Sequence, residues 1–437
     1  MRILQACSAY KSSAKHYLSY SKRSICTRHV LHRSLTTQLR VYTNVLLFER
    51  SYNFNSNHSI CLFSSTHTEK STMKKLPQLQ FVAAICSAIA STGAMAQASS
   101  SVTISGIVDA YVGTRQLAGG LSQTKVDSSG MSTSQVNFSG TEDLGGGSRA
   151  EFVLGMFFRP DTGGQGRADT DPLFARSAYV GLGGSMGTVR FGRITTGNFL
   201  NFIRTNSYGD SSTFGPAFLH NWVSAIGQGT QFLSGAGPVG RTLTAPLGGT
   251  DSAWNNSVSY ISPSLGGTVF QVQWAPSEAT GVGSRTGASA FYSAGPLALG
   301  LATEQIGTAS VPATGPAAAV LKHQSTWHLS GAYAFGFGRV SAGLINTQRD
   351  YTVVVDDRIR TMHLGVTIPI GAGGLMAQVA SSSQQPDTGI EVKRTTTSVG
   401  YSYNFSKRTD AYAVLMNDQL TGLASGRSLG FGVRHRF

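Results

Sequence analysis

Cysteine is missing from most of this chain. All four cysteines, Cys7, Cys26, Cys61 and Cys86, precede residue 97. The remainder of the chain can build neither a disulfide framework nor a thiolate zinc site. The same stretch has no apolar run of about 18 residues, which excludes a membrane-spanning helix there. Leucine and isoleucine are sparse and mean hydropathy is −0.04, little for one buried core of this length. Charge is unevenly spread. Twelve of the 35 Lys+Arg but only two of the 21 acids precede residue 97, leaving 23 bases against 19 acids and a net of about +4. The basic balance belongs to the first segment. No basic patch with interleaved aromatics remains to bind nucleic acid. Five histidines lie beyond residue 97 (His220, His323, His328, His363, His435), none with an i,i+4 partner or an H-E-x-x-H context, so no metal or cofactor is expected.

Met73-Lys74-Lys75, an apolar stretch over 81–89 and Ala94-Met95-Ala96 spell a signal peptide over 73–96, with cleavage after Ala96 and Gln97 as the mature N-terminus. Residues 1–72 are rich in Ser, Arg and His and poor in acids, a composition shared with transit segments. The more economical reading starts translation at Met73 and leaves 1–72 disordered and absent from the working protein.

From residue 102 the pattern is period two. Val102, Ile104, Val108, Ala110 and Val112 fall on one face, with Thr103, Ser105, Asp109 and Tyr111 on the other. Ala150, Phe152, Leu154, Met156 and Phe158 likewise oppose Arg149 and Glu151. Near the end, Leu429, Phe431, Val433 and Phe437 oppose Arg434 and Arg436. Successive strand side chains point to opposite faces, so each strand has a greasy side and a wet side. Tight glycine-rich turns fall at 142–147, 183–187, 263–267, 335–338, 371–374 and 404–408. Longer polar connections fall at 159–172, 306–321 and 384–390. Short turns at one rim and long loops at the other fit a transmembrane barrel, and this spacing predicts about sixteen strands. From 194 to about 253 the alternation stops. A segment that long inside a barrel protein is expected to fold into the lumen and narrow it.

Several motifs carry a family likeness. Gly140-Thr141-Glu142-Asp143-Leu144-Gly145-Gly146-Gly147, Phe174-Ala175-Arg176-Ser177-Ala178-Tyr179-Val180-Gly181-Leu182 and Gly187-Thr188-Val189-Arg190-Phe191-Gly192-Arg193 come first. Asn256-Ser257-Val258-Ser259-Tyr260-Ile261-Ser262-Pro263, Tyr403-Asn404-Phe405-Ser406-Lys407-Arg408-Thr409 and the terminal Phe437 come after them. In this order, over 97–437, they resemble trimeric Gram-negative general porins of the β-proteobacterial type. The resemblance implies an all-β, sixteen-stranded antiparallel transmembrane barrel with its third external loop folded inward. It also implies a homotrimer in outer-membrane lipid, and a terminal aromatic read by the barrel-assembly machinery. The expected function is passive diffusion of small hydrophilic solutes and ions.

In such a channel, charged groups on the wall and inward loop bias ion flow. Arg149 and Arg190 lie on polar strand faces, Arg193 stands at the start of the long segment, and Arg176 matches the family's pore-lining arginine. The bland reading of each is a solvated lumen charge without a selectivity role. Ser134-Gln135 stands where the family usually has Ser-Arg, and Trp254 where an arginine often precedes Asn-Asn-Ser. The long segment offers only Asp210 and Asp251 as acids. The expectation is a weak transverse field and modest ion selectivity. The segment is aromatic (Phe199, Phe202, Tyr208, Phe214, Phe218, Trp222, Phe232). These rings form either a sugar-stacking track or packing against the wall, and packing is favoured. The alternatives to a channel are an outer-membrane barrel enzyme of protease or phospholipase type, which needs a nucleophile beside a base, and an adhesin with a filled interior. N-terminal sequencing of membrane-purified protein should read from Gln97; a start upstream of Met73 would overturn the reading that translation begins at Met73.

Overall fold

In a computed structural model, residues 101–222, 251–278, 283–310, 320–352 and 356–437 are described, together with two short strands, Thr37–Tyr42 and Val45–Arg50, that pair antiparallel with each other. Apart from that ladder, the expectations for 1–72 and 73–96 lie outside the described residues.

Sixteen long strands form one closed antiparallel barrel. In chain order they are β1 (Ser101–Arg115), β2 (Gln135–Gly145), β3 (Ser148–Arg159), β4 (Ser177–Gly184), β5 (Gly187–Thr195), β6 (Ala253–Ile261), β7 (Thr268–Ala275) and β8 (Arg285–Ala294). Then come β9 (Leu297–Ile306), β10 (Val320–Phe335), β11 (Gly338–Tyr351), β12 (Asp357–Ile370), β13 (Gly373–Pro386), β14 (Val392–Asn404), β15 (Thr409–Leu420) and β16 (Gly426–Arg436). Three shorter strands, Gln123–Ser128, Gly164–Gln165 and Ala309–Ser310, pair onto the long-loop ends. Each strand pairs with its sequence neighbour, and β16 closes on β1 from Leu429 opposite Thr114 to Arg436 opposite Ile107. The expected turns are in place, with one more at Gly295-Pro296. At 142–147 the ladder runs further than the glycines suggest, because Glu142 and Asp143 still pair with Ala150 and Arg149. Gly266 and Gly267, at φ +57° and +87°, turn β6 into β7 through backbone space that side chains disfavour.

The alternation sorts as predicted. Val102, Ile104, Leu182, Phe191, Val272, Leu329, Leu364 and Phe431 are exposed on the outside, an apolar belt suited to lipid. Tyr333, Phe335 and Phe337, and Tyr403 with Phe405, cluster near the short turns, where amphipathic rings suit a membrane boundary. The terminal Phe437 completes the seam. Its N–H donates to the Gly106 carbonyl at 3.1 Å and its carbonyl accepts from the Gly106 N–H at 3.0 Å. A Cβ at position 106 would stand 2.4 Å from the Phe437 ring.

The buried apolar cluster lies inside the barrel, built from the segment after β5 pressed on the wall. Helix α1 (Gly197–Arg204) is capped by Thr196, whose hydroxyl accepts from the Phe199 N–H. Gly197 lets it lie against β8, since a Cβ there would meet Ser289 Oγ at 1.9 Å. Helix α2 (Pro216–Asn221) starts on a proline, a favoured first helical position. Where α2 meets the wall, Arg394 and Asp418 pair at 2.9 Å with both side chains 1% exposed. Asp418 also accepts from Thr396 Oγ1 at 2.5 Å and the Ala118 N–H at 3.0 Å. Asp418→Asn should therefore leave a buried guanidinium without its anion and cost about 3–5 kcal/mol, read as an earlier urea midpoint for loss of the folded gel mobility.

Candidate functional site: the pore lining and its inner loop

The inner loop follows the wall from β8 round to β1. Asn201 donates to the Ala290 and Leu301 carbonyls, both at 3.1 Å, and Ser207 bonds Ser341 at 2.7 Å. His220 bridges Ser382 at 2.7 Å and Thr396 at 2.8 Å. Ser398 donates to the Phe214 carbonyl at 2.7 Å, Thr213 to the Ser129 carbonyl at 2.9 Å and Ser211 to the Gly130 carbonyl at 2.6 Å. Hydroxyls of wall and loop thus satisfy backbone carbonyls across the contact, each bond contributing about 1 kcal/mol net. Phe202, Tyr208, Phe214, Phe218 and Trp222 are all buried against this wall. Phe214 packs edge-on against Tyr111 at 5.1 Å. Of the two readings of the aromatics, packing is what the described rings do; Phe232 lies outside the described residues.

Among the described residues, α1 packs on β8–β10 and α2 on β12–β14, and a cluster of charged side chains lines β2–β5. On β3, Glu151 sits between two arginines, with Arg190 of β5 at 2.7 Å and Arg149 at 3.7 Å. Arg190 also lies over the Tyr179 ring at 4.7 Å. Arg176 stands just before β4 and donates to Asn137 Oδ1 at 2.9 Å; its charge acts on Asp210 of the inner loop. Loss of surrounding water raises the Asp210 carboxyl above its ordinary value, against the lowering pull of Arg434, Ser132 and Arg176. The structure therefore joins Arg149 and Arg190 through one acid and sets Arg176 near Asp210.

Arg193 is elsewhere. It pairs in register with Ala178, in phase with outward Val189 and Phe191. Its guanidinium reaches Asp251 at 2.5 Å, Asn255 Oδ1 at 2.6 Å and the Ala175 carbonyl at 2.6 Å. Arg167, which also pairs with Asp171 at 2.8 Å, takes the other oxygen of Asp251 at 2.9 Å. This network ties the loop's return to its departure. Burial raises the Asp251 carboxyl, but Arg167 and Arg193 outweigh it and hold the group below its usual range.

Sequence reasoning missed several residues of this surface. Arg434 and Arg436 both reach Asp410, at 3.2 and 2.8 Å. Arg204, at the end of α1, is exposed and lies over Phe291 at 4.7 Å, with no acid partner among the described residues. The signal for Arg434 and Arg436 was present in the wet face of the last strand. For Arg204 there was none, because its position depends on where the loop docks. Trp254 is fully buried and packs with Ala275 and Ile306. Gly183-Gly184-Ser185-Met186-Gly187 has the spelling of a nucleophile elbow, yet it is the hairpin turn from β4 to β5 with no helix after it.

A closed sixteen-stranded barrel, apolar outside, charged inside and narrowed by an inward loop, defines a transmembrane diffusion channel. Residues 82–423 match the Gram-negative porin family. The chain belongs to that family and is an outer-membrane porin, a water-filled channel for passive diffusion of small hydrophilic solutes and ions. It is 31% identical to outer membrane porin protein 32 of Delftia acidovorans over 381 residues, covering 80% of this chain and 97% of that one. It is 26% identical to an outer membrane porin of Bordetella pertussis over 402 residues, covering 78% and 96%. Among solved structures, the anion-selective porin from Comamonas acidovorans is similar with a TM-score of 0.63 and 28% identity, covering 77% of this chain and all of that one.

Because the depressed Asp251 group stays ionised down to the acid end, its latch contributes above the ordinary carboxylate pKa and is lost as pH falls through the lower folded value. Wild-type channels should conduct quietly at neutral pH and begin to flicker only below about pH 4. Asp251→Asn should flicker at pH 7 and respond little to acidification. Equal noise in both channels at pH 7 would remove the latch role.

Proposed function

We propose that this porin favours anions, modestly, and that the positive lining of β3–β5 with Arg176 forms its constriction. One observation carries the reading: two lumen arginines, Arg149 and Arg436, reach water while the acids they pair with are enclosed. Arg149 and Arg436 are 44% and 40% exposed, whereas Glu151 and Asp410 are 14% and 2%. Asp109 accepts from the Gly130, Met131 and Ser132 N–H groups and from the Tyr412 hydroxyl, and is fully buried. Its charge is engaged in structure. Arg204 adds a cation to the loop itself. Arg149 and Arg190 share only Glu151, so an anion passing β3–β5 meets a net positive wall without a dense acidic counter-wall. That asymmetry biases partition without strong binding. The similarity to a porin described as anion-selective supports the sign.

The barrel catalyses nothing in this reading; its work is done by width and field. The sequence likeness supports three barrels per assembly, with Phe437 as the feature read during insertion and 73–96 as the removed signal.

In planar bilayers under a tenfold KCl gradient, the reversal potential should take the anion-selective sign and fall well short of the ideal limit of about 59 mV. Conductance should appear in steps of three. Raising the mean salt should shrink the selectivity as screening shortens to a few ångström. Arg149→Ala with Arg190→Ala should move the potential toward zero. A cation-selective sign, or a value at the ideal limit, contradicts the proposal.

A further inference from the structure

A second segment also leaves the wall. β1 pairs with the short strand Gln123–Ser128 as far as Ala110 opposite Ser128, and with β2 from Ile107 opposite Gln135. Residues 129–134 therefore stand across from only Val108 and Asp109. They fold into the lumen, and every one of them is buried. Ser129 takes φ +64°, backbone space that a side chain disfavours, so the turn depends on what holds it.

Asp109 holds it. This carboxylate, fully buried on the wet face of β1, accepts from the N–H groups of Gly130 at 3.1 Å, Met131 at 2.9 Å and Ser132 at 2.8 Å. The Tyr412 hydroxyl of β15 donates to it at 2.5 Å. Ser134 Oγ accepts the Asp109 N–H at 2.9 Å and donates to the Asp109 carbonyl at 3.1 Å. Three successive amides converging on one anion fix the direction of the segment as well as its place. Glycine at 130 permits the approach, since a Cβ there would stand 2.0 Å from the Tyr412 hydroxyl.

With its N–H groups turned to the wall, the segment offers its carbonyls to the inner loop. Ser211 donates to the Gly130 carbonyl at 2.6 Å and Thr213 to that of Ser129 at 2.9 Å. The Ser132 hydroxyl accepts from Arg434 at 2.8 Å and serves Asp210 of the loop as well. Met131 joins the buried cluster that holds Phe214 and Tyr412. Asp109 thus acts on the loop at second hand, through the turn it grips.

We propose that residues 129–134 form a second inward element that sets the bore of the pore by holding the inner loop at 210–214, with Asp109 as the positioning residue. The proposal concerns width and steadiness, and stands whichever ion the channel favours.

Single channels at neutral pH, probed with polyethylene glycols of graded size, test it. Whichever way its amide turns, Asp109→Asn points an NH2 at N–H groups that the carboxylate now accepts. Detachment of the loop at 210–214 should become about tenfold more frequent, seen as excursions to higher current and entry of larger polymers. Ser211→Ala with Thr213→Ala, which leaves the Asp109 network whole, should do the same. Asp357→Asn removes another enclosed acid, one that pairs with Arg349 at 2.7 Å. It should lower the urea midpoint while current and polymer limit stay those of wild type, which separates lost positioning from general softening. Wild-type current and polymer limit in the Ser211 and Thr213 double variant overturn the proposal, even should Asp109→Asn fail to fold. So do a wild-type bore in folded Asp109→Asn, or equal excursions in Asp357→Asn.

Discussion

Closure of the hydrogen-bonded ladder is the constraint on which the rest depends. A backbone N–H or C=O that meets hydrocarbon without a partner costs several kcal/mol, so an open sheet edge cannot stand in lipid. The chain meets this by pairing β16 with β1 and by using its last residue as well, with Phe437 exchanging two backbone bonds with Gly106. Once the ribbon closes, every strand has an inside and an outside. Period-two patterning then assigns each side chain to lipid or to water without further instruction.

Closure also creates a difficulty, a wide interior with nothing to pack. The inner loop resolves it by carrying the hydrophobic cluster that a soluble domain would hold between layers. Its rings lie on Ile345, Met376, Val414 and Met416 of the wall. Close approach depends on small wall residues. At Gly430 a Cβ would meet the Phe214 ring at 2.4 Å. The loop is thus held by the chemistry of a protein core on one side and left wet on the other. This lets a segment with little regular structure narrow the lumen.

Charge inside the barrel divides by role. Acids are enclosed and engaged with backbone N–H groups or arginines, as Asp109, Asp410 and Asp418 show, while Arg149 and Arg436 extend past their acid partners on long apolar stems toward water. The lining therefore presents a positive face although the chain beyond residue 97 holds nearly as many acids as bases. Side-chain length and burial, more than composition, set the field a passing ion meets.

Much of this was legible in the order of residues. Alternation about Asp109, Arg149 and Arg434 marked the wet face, glycine clusters marked the turns, and the break in rhythm after Ile194 marked the inward segment, because each depends on local backbone geometry alone. Which arginines face one another was not legible. Arg193 and Asp251 stand far apart in sequence and meet only when the loop returns, and Arg204 reaches the pore only because α1 docks on β8 and β9. Strand period is a property of neighbours along the chain and is written in the sequence. The pore's charge map is a sum over groups that closure brings together, and the tertiary structure alone decides it.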